Sequence, residues 1–130
     1  MSKQINVVIV EPNRPARAAS ISNSLESMHE IVGGYIELVY PFTGEDEDVC
    51  CVCNEGGKIN GLALNRAIYD EDDCMADIVA GTFFTCDASG EDLDSLSPAQ
   101  LERFTERYKR PEMFCRINGQ IVAIPYDAEK

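Results

Sequence analysis

The chain has 130 residues, 45% apolar and 26% charged, which are proportions of one ordinary globular domain. A chain of this size buries roughly two-thirds of its extended surface and needs no metal or disulfide to fold. Its net charge of −12 argues against direct binding to nucleic acid or to an anionic membrane, because both need a cationic footprint. No apolar run reaches the roughly 18 residues of a membrane-spanning helix.

The opening stretch, MSKQINVVIVEPNR, lacks the longer apolar region and small-residue cleavage site of a secretory signal. A cytoplasmic protein is therefore expected. Residues 5–10 are apolar and β-branched and predict a buried strand. Residues 12–15, bounded by two prolines, break it, and residues 17–22 are assigned as an extended return strand. A helix follows, with Asn23 as its cap and Glu26 three positions later. Leu25, Met28 and Val32 form its apolar stripe, and Gly33-Gly34 ends it.

Residues 35–40 and 49–53 read as strands. Between them lies the acid run at residues 45–48. In the second strand Cys51 and Cys53 share one face and Cys50 takes the other. The six cysteines lack the two C-x-x-C pairs of a zinc site, and core packing is expected for most of them. Residues 54–58 contain a Gly-Gly turn, read as a hairpin connection. The secondary structure of residues 59–69 is left open, and a second acid run occupies residues 70–73. Residues 77–86 read as one central strand with a bulge or close approach at Gly81. Ser97-Pro98-Ala99-Gln100 is a capping box with proline at the first helical position. Leu101, Phe104 and Tyr108 face inward from that helix. Asn118-Gly119 then marks a two-residue hairpin turn.

This order predicts an α+β fold: a single mixed or mainly antiparallel sheet, two packed helices and a C-terminal hairpin. One domain spans the chain, with residues 1–110 as the main body and 111–130 as hairpin and tail.

Few chemical motifs stand out. Phosphate-loop and dinucleotide fingerprints are absent. The loops from Asp70 and Asp87 place Met75 and Asp92 where an EF-hand needs glycine. His29 is the only histidine, which excludes a multi-histidine metal site. No cofactor is expected. The acid runs suit solvated loops, or a partner with a basic surface.

Asn65-Arg66 interrupts an apolar stretch between Leu64 and Ala67. Arginine offers a planar fork of donors suited to carboxylate or phosphate. A structural partner for Arg66 and recognition of a small anionic ligand are both open. The candidate binding residues are Glu37, Asn54, Glu55, Lys58, Asn65 and Arg66, drawn together if residue 65 returns beside residue 54.

The segments around Val10-Glu11-Pro12, Ser24-Leu25-Glu26, residues 32–37, Asn54-Glu55-Gly56-Gly57-Lys58, Leu64-Asn65-Arg66-Ala67 and residues 78–84 resemble those of a family called domain of unknown function 3846. The resemblance continues to the Leu96-Ser97 helix start. It implies a protein of bacteria, bacteriophages or mobile elements, and no particular activity or cofactor. A non-enzymatic binding module is the leading expectation. The alternatives are an acidic interaction or inhibitory module with charge like that of DNA, and an enzyme acting on a small polar substrate. Expected partners are a small anionic ligand or a protein. The C-terminal hairpin offers an edge for a homodimer.

Overall fold

The computed structural model describes residues 3–127. The chain runs as β1 (Gln4–Val10), β2 (Arg17–Ser22), α1 (Leu25–Val32), β3 (Ile36–Val39), β4 (Val49–Asn54), β5 (Leu64–Tyr69), β6 (Met75–Ala80), β7 (Phe83–Asp87), α2 (Pro98–Arg107), β8 (Glu112–Ile117) and β9 (Gln120–Pro125). Five strands form the main sheet in the order β2-β1-β7-β4-β3. Every pairing in it is antiparallel. The α+β expectation holds, and two further ribbons, β5-β6 and β8-β9, stand outside the main sheet.

Both faces of the main sheet are covered, which explains why its central strands read as continuous apolar runs. In β1, Ile5, Val7 and Ile9 enter one core and Val8 and Val10 the other. In β4, Cys50 and Val52 join the first, while Val49, Cys51 and Cys53 join the second. Met28 and Val32 of α1 close the first core. Phe104 and Tyr108 from the α2 end, with Ile68 and Val79 of the β5-β6 ribbon, close the second. Four of the six cysteines are buried, in keeping with their reading as small apolar side chains. Burial raises the Cys51 thiol well above its usual range.

Helix α1 corrects the sequence reading of its start. Ser24 is the cap and accepts a hydrogen bond from the Ser27 N–H at 3.1 Å. Asn23 instead donates its side-chain amide to the Leu93 carbonyl at 2.7 Å. Leu25 consequently sits before the inward stripe and is exposed. Helix α2 has the predicted capping box, with Ser97 and Gln100 reciprocally bonded.

The expected strand at residues 77–86 is two strands. Gly81 has φ +83, a left-handed conformation that glycine adopts without strain. The chain changes sheets there: β6 pairs with β5, and β7 lies between β1 and β4. The turn after β4 is likewise no hairpin, because β4 and β5 belong to different sheets. Among the described residues no helix is long and apolar enough to cross a membrane.

Candidate functional site

Asn65 and Arg66 lie in the interior. Asn65 is 0% and Arg66 1% exposed. Successive strand residues normally face opposite sides. Here the pairing passes from Leu64↔Ala80 directly to Arg66↔Val79 and leaves Asn65 unpaired. This bulge lets both neighbouring side chains turn inward. The Asn65 amide donates to the Val10 and Gly81 carbonyls, each at 2.9 Å. It thereby ties the end of β1 to the β6-β7 crossing.

The Arg66 fork grips carbonyl oxygens and, among the described residues, forms no ion pair. Its Nη2 donates to the carbonyls of Arg14 at 2.7 Å and Tyr108 at 2.8 Å. Its Nη1 donates to Asn65 Oδ1 at 2.8 Å and to the Asn65 carbonyl at 3.3 Å. Tyr108 caps the C-terminus of α2, where the helix dipole presents partial negative charge to the guanidinium. Of its nitrogens only Nε is buried without a partner among the described residues. Burial lowers the Arg66 pKa from the usual arginine value, and the charge of Glu112 opposes that shift. The Glu112 carboxylate is itself engaged, accepting the Ala67 N–H at 2.7 Å. Arg66 thus joins β5, the β1-β2 turn and the end of α2.

The other four candidates come together elsewhere. Glu37, Asn54, Glu55 and Lys58 line a cleft of about 290 Å³. One wall is the paired ends of β3 and β4. The other is β6, which contributes Asp77 and Val79. Cys53, Ile68 and Val79 supply its buried apolar lining, and Ile59 stands 92% exposed at its margin.

Asn54 is a local brace. Its amide donates to the Val32 carbonyl at 3.0 Å, and its Oδ1 accepts the Gly56 N–H at 2.9 Å. The Gly57 backbone passes so close to β6 that an added Cβ would stand 2.7 Å from the Ala80 carbonyl oxygen. The turn at residues 55–58 is thus fixed against β6 and closes one end of the cleft.

The remaining polar groups face the opening. Lys58 pairs with Asp77, both side chains about half exposed. Burial raises the Asp77 pKa, but the hydrogen bond from Lys58, the Ile78 N–H and the Lys58 charge outweigh it, and the net shift is downward. Cys53 is pushed up to about 12 by burial and then by the nearby Glu37 carboxylate. It is a neutral apolar wall rather than a thiolate nucleophile at neutral pH. Three carboxylates, Glu37, Glu55 and Asp77, thus line the cleft with one ammonium, which Asp77 holds. Among the described residues no cluster of His, Cys, Asp or Glu suits a metal ion.

Asp77 is the charged cleft residue that sequence reasoning missed. The available signal was Gly81: if it divides residues 77–86 in two, the first part becomes a hairpin partner for residues 64–69.

These features define a small α+β domain with a carboxylate-rimmed, apolar-walled cleft beside a two-stranded ribbon. The chain belongs to the family described as Domain of unknown function (DUF3846), which matches residues 5–109. No curated protein and no solved structure matches it.

Proposed function

We propose that the protein is a binding module whose ligand is a small organic cation, held in the cleft between β3-β4 and β6. The observation that carries this reading is the composition of the cleft: Glu37, Glu55 and Asp77 face one Lys58 over walls formed by Cys53, Ile68 and Val79. A volume of about 290 Å³ lies at the lower end of small-molecule sites, which are mostly apolar with a few placed polar groups. The Arg66 fork supplies no anion site, because its terminal nitrogens are bonded to carbonyl oxygens. An exposed ion pair such as Lys58–Asp77 contributes about 0–1 kcal/mol. A ligand ammonium can replace Lys58 at Asp77 at little cost.

Amide NMR with benzylammonium and benzoate tests this. Benzylammonium is expected to shift residues 53–58 and 77–80 saturably, and benzoate to leave them unmoved. Equal effects of both compounds, or none from either, count against the cleft.

A second reading rests on a separate observation. The two acid runs converge: Asp46 shares a recess of about 230 Å³ with Asp70, Glu71 and Asp73. Their convergence supports an acidic interaction surface for a basic protein segment. Arg103, which pairs with Asp46 at 2.7 Å, and Arg107, which lines the same recess, partly neutralise it. In the same NMR experiment polylysine would shift residues 45–48 and 70–73, with an effect that fades as salt rises.

A further inference from the structure

The C-terminal hairpin lies beyond the family-matched residues 5–109, and its two faces differ. One face meets the β5-β6 ribbon: Glu112 holds the Ala67 N–H, while Arg116 and Ile121 line a groove with Leu64 and Ile78. On the opposite face the cross-strand register aligns Met113 with Ile124 and Cys115 with Val122. Ile117 extends that face beside the turn. Met113, Ile117 and Ile124 are 54%, 51% and 39% exposed. None of the five belongs to either core. A two-stranded ribbon is marginal alone and gains stability from further strands or from cover on an apolar face.

Strand β9 also has an undefended edge. Its other neighbour position is empty, because among the described residues β9 pairs only with β8. Natural edge strands are protected by charges, bulges or proline. The edge strands β2, β3 and β6 carry Arg17, Glu37 and Asp77, and β8 carries Glu112 and Arg116. The sequence of β9, QIVAIP, has no charge, and its proline stands only at the last position. Its pairing with β8 is regular through six consecutive residue pairs.

Asn118 and Gly119 have φ of 52 and 81, the geometry of a two-residue hairpin turn. The closing pair Ile117↔Gln120 then exchanges both backbone bonds, so the N–H and C=O groups of Ile121 and Ala123 point away from β8.

We infer that β9 is the homodimer interface: it pairs antiparallel with β9 of a second copy, joining two hairpins into one four-stranded sheet with a continuous apolar face. The charge distribution selects a second copy as the occupant. Two chains of net charge −12 repel over much of their surfaces. Strand β9 itself carries no charge, and the charges at its two ends differ in sign: Arg116 stands beside the turn and the exposed Asp127 follows Pro125, so antiparallel pairing brings the Arg116 end of each copy toward the Asp127 end of the other. The contact is isologous and closes at two copies, using the same strand from each.

Sedimentation velocity over a concentration series tests the inference on the full chain. The wild type is expected to move from monomer to dimer and stop there. Ala123→Pro removes an outward N–H while leaving the β8-β9 bonds intact. Ile124→Lys charges the apolar face. Both variants are expected to remain monomeric, with unchanged far-ultraviolet circular dichroism. A wild type that stays monomeric at every concentration overturns the inference. So do variants that dimerise as the wild type does, or an open series of larger species.

Discussion

Replacing Arg66 with alanine is expected to lower unfolding stability by about 3–5 kcal/mol, among the largest costs of any single substitution. The carbonyls of Arg14 and Asn65 and the side-chain oxygen of Asn65 lose a donor, while that of Tyr108 keeps only the Ala16 N–H, and each buried acceptor left unpaired costs about 1–3 kcal/mol. The vacated volume adds a cavity term. Relief from holding a desolvated guanidinium offsets part of the sum. Arg66→Lys keeps the charge but not the fork, and should fall between the two. Urea denaturation of the three proteins checks this. A surface arginine serving only a ligand would lose less than about 1 kcal/mol, so a loss that small would contradict the brace described for Arg66.

Gly57→Ala is expected to cost about 1–3 kcal/mol and to disturb the cleft. The new Cβ would stand 2.7 Å from the Ala80 carbonyl oxygen and 3.4 Å from the Ala80 Cβ. Both belong to a paired strand that cannot yield as a side chain tip can. The turn must lift from β6, and with it Lys58 and Glu55. Gly90→Ala is the control, because its nearest neighbour is 4.0 Å away. Thermal unfolding should show a lower melting temperature for Gly57→Ala and nearly none of that change for Gly90→Ala. Equal behaviour of the two would mean that the turn is not fixed against β6.

Signals confined to a few adjacent residues were legible in the sequence. The Ser97 capping box, the Gly33 helix end and the Asn118-Gly119 turn all take the expected form. Each depends on hydrogen bonds or dihedrals within one turn. Choices among distant partners were not legible. Residues 77–86 are apolar enough for one strand, and only the left-handed Gly81 reveals a change of sheet. Asn23 and Ser24 are both good caps; the Leu93 carbonyl, 70 residues away, takes Asn23 out of that role.

The same limit divided the candidate site. Glu37, Asn54, Glu55 and Lys58 meet at one cleft, since β3 and β4 are paired at those ends. Asn65 and Arg66 do not join them, because the bulge turns both inward and β5 pairs away from β4. A polar pair in an apolar stretch marked an unusual position correctly. Its partners, carbonyls of residues 14 and 108, leave no pattern near residue 66.

The proposed function is tested most directly by calorimetric titration of benzylammonium into the wild type and into a chain carrying Glu37→Gln, Glu55→Gln and Asp77→Asn. These three carboxylates rim the cleft, and losing the exposed Lys58–Asp77 pair should leave the fold intact. The account predicts saturable one-to-one binding to the wild type. In the variant it predicts affinity weakened by roughly tenfold or more, a difference of about 1.4 kcal/mol. Equal affinity in both proteins, or no binding to the wild type, would contradict it.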